Sequence, residues 1–472
     1  MSARRPGSPK RTSPTPEPRH QSPATPRQSR AVQVATAATL SPLIVELADQ
    51  AVAPLRSDAN ETPSGKFWLR DPRLAKLAWV DRNIVIGCVR SMLRWWGWLA
   101  PLDAATETRL LLASLLDARE PTPMIRHWAH RNETEKATLL PLGDAPDWTA
   151  KTTGFKRILG FEPPTVDPWR LFPEWFRSAI QDPPGTETLK TRQIHLIAAL
   201  QTPAPVWLRA QAESPKRVWD VLRASGVKPW IHRTWPDAAR LDDEIEVSHL
   251  GPTSQGLLEL HDLSSQWVGH CANPQPGERW WAPDYERAQE VIHLAALMQG
   301  RGVVLASQRT ERPLRALELH ARRTPFRNIS TKIWDGKRAV GKPRTYDGVL
   351  VAPRCTGIGL WRRAPELRWI SGRVPLTTYA EAQTKLLAAA RHALKPRGLL
   401  IYAVPTITQA ETLGVVQSFV SATPELKLKP FTDPLTQELT DGTRTLWPPT
   451  PDTDHWFLAR MTWIPKSPDR SN

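Results

Sequence analysis

The segment Tyr346–Trp369, YDGVLVAPRCTGIGLWRRAPELRW, contains the features that decide the fold of the C-terminal half. Its residues 349–351 form an apolar run that is typical of a buried strand. A loop of small residues follows the run and leads into a basic, aromatic segment. Open α/β sheets place their chemistry in loops that follow strands. The segment therefore predicts a buried strand and a functional loop around Cys355, although an ordinary strand-to-helix loop explains the same residues.

Strand and helix patterns alternate from about residue 251 to the end of the chain. Such alternation predicts an α/β fold with a doubly wound parallel sheet. The last two strands are separated by a long connection, which favours an antiparallel edge. The predicted strands are 303–306, 329–333, 349–351, 399–403 and 456–461, and the predicted helices are 287–298, 312–323 and 379–394.

Two smaller units are predicted before this sheet. Apolar residues recur at helical spacing over 81–99 and 106–116, which indicates a small helical domain over residues 31–160. A strand at 206–209 and a helix at 214–224 indicate an α+β module over 169–250. Ser214 and Pro215 stand where a helix cap and a first helical residue are expected. Residues 143–168 are predicted to link the two units.

The first 30 residues have the composition of a disordered basic arm. They contain seven prolines and seven Lys or Arg residues, and no Leu, Ile, Val or aromatic residue. Such a segment buries too little apolar surface to offset the entropy lost on ordering. The arm either attracts RNA weakly or keeps the protein in solution.

The charge of the whole chain indicates a polyanionic partner. Its formal net charge is +16 and its pI is about 10.1, and a basic balance of this size is typical of proteins that bind nucleic acid. The 22 tryptophans are unusual beside 4 tyrosines. The pairs Trp95–Trp96 and Trp280–Trp281 are predicted to fill cores, and exposed tryptophans would stack on unpaired bases.

The cysteines and the hydropathy pattern exclude other classes. Cys88, Cys271 and Cys355 are far apart and form neither a zinc pattern nor a disulfide framework. We therefore expect no metal ion and a reducing, cytoplasmic location. The sequence has no run of about 18 apolar residues that would span a membrane and no apolar signal-peptide core at its N-terminus.

Several short motifs of the C-terminal half resemble one known family. The most specific is Cys355-Thr-Gly-Ile-Gly359 followed by Arg362-Arg-Ala-Pro365 and Trp369. The others are Gly256-Leu-Leu-Glu-Leu-His-Asp262, Pro276-Gly-Glu-Arg279, Asp335-Gly-Lys337, and Lys395-Pro-Arg-Gly398 with Tyr402-Ala403. Together they are similar to the motifs of the RsmB/NOP-type (Sun-like) RNA cytosine-5 methyltransferases, which use S-adenosylmethionine. The similarity covers roughly residues 169–466.

The resemblance implies an architecture and partners. Residues 251–466 would form a Rossmann-like class I methyltransferase domain. Residues 169–250 stand where the family has an RRM-like domain, and the helical region resembles the NusB-like domain of bacterial members. The implied cofactor is S-adenosylmethionine, and the implied partner is RNA, with ribosomal RNA expected. Arg362, Arg363 and Arg209 are the predicted RNA contacts.

The cofactor motif of the family is altered in this sequence. The family's Asp-x-Cys-Ala-Ala-Pro-Gly-Gly-Lys aligns on 282–290, where Ala288 and Gln289 replace glycines and Glu290 replaces the lysine. A glycine turn lets the backbone approach a cofactor, and side chains now stand there. Gln308 replaces the acidic residue that binds the ribose hydroxyls, whereas Asp335, near the adenine in the family, is kept. We therefore expect poor cofactor binding, with Gln308 and Asp335 as the candidate contacts.

The catalytic motifs are altered as well. The family's Asp-Ala-Pro-Cys aligns on 352–355, so Ala352 replaces the Asp that bonds the target base. The nucleophilic cysteine of the family aligns on Pro405. Cys355, which in the family serves product release, is retained.

These changes predict a methyltransferase-like protein that binds RNA and is catalytically impaired or inactive. Loss of a general acid costs about 10²–10⁴-fold, and loss of the nucleophile removes the covalent intermediate. An active enzyme remains an alternative, because DNA-type cytosine methyltransferases use the cysteine of their Pro-Cys motif. Arg354 would then lower the pKa of Cys355. A non-enzymatic ribosome-assembly factor is a third interpretation.

Overall fold

Helices fold the residues before Val206 around one core. The computed structural model describes residues 36–55, 67–117, 122–132, 151–153, 155–156, 167–211, 214–241, 253, 255–447 and 453–464, which all belong to one compact unit. The predicted basic arm and most of the predicted linker lie outside these residues. The helices are α1 Ala37–Val52, α2 Pro72–Lys76, α3 Trp79–Leu99, α4 Thr106–Asp117, α5 Pro123–Arg131, α6 Glu174–Ala179 and α7 Leu189–Gln201.

The helical core extends further along the chain than the sequence pattern indicates. We predicted that the α+β module starts at residue 169, but α6 and α7 pack into the helical core through Phe176, Leu196 and Leu200. Ile358 and Trp361 of the C-terminal half belong to the same cluster of buried residues. The helices and the C-terminal half therefore share one continuous apolar core.

A small antiparallel sheet follows the helices. Its strands lie in the order β2-β3-β1-β4, and the fourth strand comes from residues that we had assigned to the C-terminal domain. The helix begins with Pro215 as predicted, but the Ser214 side chain makes no capping hydrogen bond. The elements are β1 Val206–Ala210, α8 Pro215–Ala224, β2 Trp230–Ile231, β3 Ala238–Leu241 and β4 Leu258–Leu260.

Both faces of this small sheet are covered. Leu208 on one face packs with Trp219 and Leu222 of α8. Trp207 on the other face belongs to a buried cluster with Trp267 of the C-terminal half. The face that carries Trp207 is therefore an internal interface rather than an open surface.

The C-terminal half is built on a mixed, eight-stranded Rossmann-like sheet. Its strand order is β10-β12-β9-β8-β5-β6-β7, with β11 paired to β12. Strands β5 to β9 are parallel, and β10 to β12 are antiparallel to their neighbours. The strands are β5 Arg279–Pro283, β6 Val303–Gln308, β7 Ile329–Ile333, β8 Tyr346–Val351, β9 Leu394–Val404, β10 Leu426–Leu428, β11 Thr443–Leu446 and β12 Trp456–Trp463, and the helices are α9 Leu263–Ala272, α10 Ala288–Leu297, α11 Glu311–Arg323, α12 Leu376–Arg391 and α13 Leu413–Ser421.

All five predicted strands and the three predicted helices of this half are present, although several of their boundaries differ by three or more residues from the predicted ones. We predicted that the last helix runs to Leu394, but α12 ends at Arg391 and Leu394 begins β9. The strand then passes through Pro396 and Arg397, which has a φ of 63°. The pairing register shifts beside this irregular stretch. Leu394 continues the helical spacing of apolar residues in the sequence, but it is the first residue of strand β9.

Tryptophans fill the centre of this sheet. Trp280 and Trp281 in β5 are fully buried, as the sequence predicted. Gly348 on the neighbouring strand makes room for the Trp280 indole, because a Cβ atom at residue 348 would lie 2.4 Å from that ring. In the part of the chain that the structure describes, no helix is long and apolar enough to cross a membrane.

Candidate active site

A cavity lies at the C-terminal ends of β5, β8 and β9. The strand order reverses between β5 and β8, and open α/β sheets bind ligands at such switch points. The cavity volume is about 220 Å³, below the range of about 300–1,000 Å³ that is usual for larger ligands. Its lining includes Glu286, Arg287, Glu290, Ala352, Pro353, Cys355, Thr356, Gly357, Tyr379, Pro405 and Trp456.

The three positions aligned with the family's catalytic motifs meet in this cavity. Cys355 and Ala352 come from the loop after β8, and Pro405 follows β9. The Gly359 N–H donates to the Pro405 carbonyl at 2.9 Å, which ties the two loops together. Neither alanine nor proline offers an acid, a base or a thiolate. The cavity has the position of a catalytic site, and Cys355 is the single thiol among its lining residues.

The surroundings of Cys355 disfavour its thiolate. Burial raises the pKa of the Cys355 thiol well above its usual value, and the nearby Glu411 carboxyl raises it further. Arg354, expected to lower this pKa, is largely exposed and pairs with Glu286 at 3.2 Å. The expectation of an activated thiol is therefore wrong for this arrangement.

Glu411 anchors the loop that carries Cys355. Its carboxylate accepts hydrogen bonds from the Thr356 N–H at 2.9 Å and the Thr356 hydroxyl at 2.6 Å. The Thr408 hydroxyl and the Gln383 amide donate to it as well, at 2.8 and 3.1 Å. Burial raises the pKa of Glu411, and these donors oppose the shift. Sequence reasoning missed this residue, because nothing local marks an acid that is buried by tertiary contacts.

A buried ionic network borders the cavity on the side of α10. Arg287 lies between Asp262, at 2.7 Å, and Glu290, at 3.3 Å. The Ser265 hydroxyl donates to one oxygen of Glu290, whereas the other oxygen, Oε2, has no hydrogen-bond partner among the described residues. Burial raises the pKa of Glu290, although Arg287 opposes the shift. Glu290 thus lines the cavity and carries one buried carboxyl oxygen without a hydrogen-bond partner among the described residues.

The loop between β5 and α10 forms backbone hydrogen bonds with residues of the neighbouring strand β6 and of the loop after β8. The Asp284 N–H donates to the Ser307 carbonyl at 2.8 Å, and the Glu286 N–H donates to the Ala352 carbonyl at 3.2 Å. In Rossmann-like folds, the amides of this loop face the ligand instead. The Tyr285 side chain is buried, and its hydroxyl donates to Pro313.

The two candidate cofactor contacts also have partners within the protein. The Gln308 side-chain amide donates to the Tyr285 carbonyl. Asp335 accepts from the Lys337 N–H at 2.8 Å within its own turn, and this bond contributes most to a lowered pKa of the exposed carboxyl. In this arrangement, both candidate contacts are engaged by hydrogen bonds within the protein.

The three arginines predicted to contact RNA are structural in this fold. Arg209 is fully buried and donates to His261 at 3.0 Å and to Gln211 at 3.1 Å. Arg362 is buried against Asp454 at 3.2 Å, and Arg363 pairs with the same carboxylate at 2.6 Å. Both also donate to carbonyls of the segment between α7 and β1. These side chains join parts of the protein, so contacts to RNA must come from other residues.

Comparison with known proteins finds one family model and several curated proteins that are similar to the C-terminal half. Residues 285–462 match the family model described as 16S rRNA methyltransferase RsmB/F. The ribosomal RNA small subunit methyltransferase B of Cronobacter sakazakii is 27% identical over 271 residues, which are 54% of this chain and 59% of that protein. The probable ribosomal RNA small subunit methyltransferase B of Synechocystis sp. is 29% identical over 235 residues, 48% of this chain and 52% of that protein. The chain thus spans little more than half the length of these curated relatives.

Solved structures share the fold. The crystal structure of PH0851 superposes with a TM-score of 0.69 and 16% identity, over 91% of this chain and 99% of that chain. The structure of NSun6 from Pyrococcus horikoshii with SFG gives a TM-score of 0.51 and 15% identity, over 59% of this chain and 95% of that chain. At these identities the likeness shows the fold alone.

Proposed function

Since residues 285–462 match the model of the RsmB/F family of 16S rRNA methyltransferases, we propose that this chain is a family member that binds RNA and no longer methylates it. The proposal rests on one observation above all. The position of the family's nucleophile is occupied by Pro405, which lines the cavity where that thiolate would act. Proline has no group that attacks a base, so the covalent route of the family cannot start there.

Two further features support the loss of methyl transfer. Ala352 provides no carboxyl group for the target base. In addition, two backbone N–H groups of the loop after β5, those of Asp284 and Glu286, already donate hydrogen bonds to carbonyls of the protein. Binding of S-adenosylmethionine would require these bonds and the Gln308–Tyr285 bond to break. We therefore propose that the cofactor of the family binds weakly or not at all.

RNA binding is supported by a surface different from the one first proposed. Residues 322–344 contain eight Lys or Arg residues and one acid, Asp335. We define the basic edge as the exposed Arg327, Lys332, Lys337, Arg338, Lys342 and Arg344. They lie on β7, at the edge of the sheet, and in its flanking segments. Lys337 and Arg338 follow the C-terminal end of β7, at the same end of the sheet as the cavity.

The N-terminal units fit this proposal. We propose that the helices correspond to the family's NusB-like domain and the small sheet to its RRM-like domain. Because the Trp207 face of that sheet is covered by the C-terminal half, we infer that RNA contacts use its edge, where Trp230 is 45% exposed. A protein that binds ribosomal RNA without modifying it would act as an assembly factor.

The experiment combines cofactor titration with a trap for the covalent intermediate. Full-length protein is titrated with S-adenosylmethionine by calorimetry and incubated with 5-fluorocytosine RNA and the cofactor. We expect no micromolar binding and no covalent adduct, with RNA binding retained. The matched variant Pro405→Cys restores the family's thiol. If this variant also forms no adduct, weak cofactor binding limits the reaction independently of the missing nucleophile. Micromolar affinity of the unaltered protein, or an adduct, would overturn the proposal.

The cavity itself favours a second candidate, a methyltransferase that uses Cys355. Cys355 and Glu290 both line the cavity, and a carboxyl group whose pKa is raised by burial would bond a base in place of the absent Asp. This candidate predicts an adduct that disappears in Cys355→Ala. An adduct that persists in that variant would exclude it.

A further inference from the structure

A cluster of histidines lies between the small sheet and the Rossmann-like sheet, away from the cavity. Asp237 precedes β3, His270 is near the end of α9, and His293 is in α10. One potential ligand atom from each of the three lies within 4.8 Å of the other two. We propose that Asp237, His270 and His293 form a site for a divalent transition-metal ion such as Zn²⁺.

The strongest observation is the state of His293. This side chain is 1% exposed, and neither of its ring nitrogens has a hydrogen-bond partner among the described residues. The Nε2 atom of His270 is likewise buried and without a partner there. Buried polar atoms are almost always satisfied by protein, water or an ion. Two unsatisfied imidazoles beside a carboxylate provide the nitrogen and oxygen ligands that bind zinc.

The packing holds the imidazoles in place. A Cβ atom at Gly269 would lie 2.3 Å from His293 Nδ1, so the absence of a side chain at that glycine lets the His293 ring approach α9. The Trp235 ring stacks on His270 with centroids 4.2 Å apart. Ligands bound at about 2.1 Å to one ion lie roughly 3–4 Å apart. A small rotation of the half-buried Asp237 and His270 side chains would complete this geometry.

The charges around the cluster permit a cation. Arg209 is the buried cation beside it, and it acts on both imidazoles. Two carboxylates, Asp237 and Glu259, act on Arg209 in turn. The formal charge of these three groups is therefore −1 with neutral histidines.

The site would join two parts of the protein. Asp237 belongs to the small sheet, whereas both histidines are on helices of the Rossmann-like sheet. A bound ion would therefore stabilise the interface that covers the Trp207 face. Such a site would revise our expectation that the protein binds no metal ion, because that expectation considered only the spacing of the cysteines along the sequence.

Metal titration of the full-length chain without a polyhistidine tag tests the proposal. Protein dialysed against a chelator is titrated with Co²⁺ and followed by its visible ligand-field absorption, and Zn²⁺ is then added in competition. We expect one equivalent to bind, and Asp237→Asn and His270→Gln to weaken binding at least about tenfold. His455→Gln is the matched control, since His455 is also fully buried but lies outside the cluster, and it should bind as the unaltered protein does.

A second measurement separates a metal site from a water-filled polar cluster. Zinc should raise the Tm of the unaltered protein and of His455→Gln, and should leave the Tm of Asp237→Asn unchanged, because binding to the folded state alone stabilises it. Circular dichroism verifies that the variants fold. No bound equivalent in the unaltered protein, or equal binding by all three variants, would overturn the proposal.

Discussion

Single side chains decide the chemistry that the cavity can support. In the proposed function, Pro405 and Ala352 stand where the family has a thiolate and a carboxylate, and the environment of the Cys355 thiol disfavours its thiolate. Cys355 is half-buried beside Glu411, and both burial and that carboxyl raise its pKa well above the usual value. Since only the thiolate is nucleophilic, retention of the cysteine does not by itself retain the activity.

We predict that Cys355 reacts slowly with iodoacetamide at neutral pH. Its pKa lies above the pH range of the experiment, so the thiolate fraction and the rate should rise about tenfold per pH unit from pH 7 to 9 without a plateau. Peptide mass spectrometry measures the rate at each pH. Glu411→Gln should speed the reaction, because it removes a charge that raises the pKa, whereas Arg354→Ala should change it little. A plateau below pH 8 would contradict this assignment.

Elements, rather than single residues, determine which surface can meet RNA. The loop from β8 toward α12 carries Arg362 and Arg363 inward to Asp454, because the segment packs against the helical core. β7, by contrast, lies at the edge of the sheet, and its flanking segments expose their charges. The basic edge is thus a consequence of strand order.

We predict that the triple variant Lys337→Gln, Lys342→Gln, Arg338→Gln weakens RNA binding for all sequences alike. Each lost phosphate contact lowers the slope of log K against log salt by about 0.7 to 0.9, so the slope should fall by about two. Filter binding from low to physiological salt measures it. The control neutralises the exposed Lys216, Arg217 and Arg223 of α8 and should leave the slope unchanged. An unchanged slope in the first variant would place the RNA elsewhere.

At the scale of the whole molecule, Arg368 connects the helical region with the Rossmann-like half. Its buried guanidinium donates to the Leu171 carbonyl at 2.9 Å and to the Gln201 side chain at 2.8 Å. It also donates to the carbonyls of Arg94 and Leu200. Burial lowers the pKa of Arg368 well below its usual value, and the nearby Arg94 adds to this. The hydrogen bonds to four acceptors stabilise this guanidinium, which forms no ion pair with a carboxylate of the described residues.

We predict that Arg368→Leu lowers the free energy of unfolding by about 2–3 kcal/mol, because buried acceptors lose their donor. The helical region should then unfold at lower urea than the sheet, giving two transitions in place of one. Tryptophan fluorescence and far-ultraviolet circular dichroism during urea unfolding would detect the separation. Arg373→Leu is the control, since the exposed Arg373 makes one bond to the Pro54 carbonyl, and it should change stability by less than about 0.5 kcal/mol. Coincident, unshifted transitions in Arg368→Leu would contradict the prediction.

The amino-acid sequence by itself determined most helices and strands of the C-terminal half, and it indicated which catalytic groups of the family are absent. Periodic apolar residues fix helices and strands locally, so β6, β7 and α11 were found within two residues of their ends. The motifs likewise predict that Pro405 replaces the family's nucleophile and Ala352 its acid, which remains a prediction. β5 was not predicted as a strand from its own pattern, because two adjacent tryptophans show no alternation.

Tertiary structure alone decided the environments of these residues. Burial and pairing depend on elements far apart in the chain, and they turned Arg209 and Arg362 from expected RNA contacts into internal ones. The pKa of Cys355 is raised first by burial and then by the carboxyl of Glu411, which lies 56 positions later in the sequence. Asp237, His270 and His293 form a cluster only because the small sheet docks on α9 and α10. No local pattern encodes such contacts, since packing between elements brings the residues together.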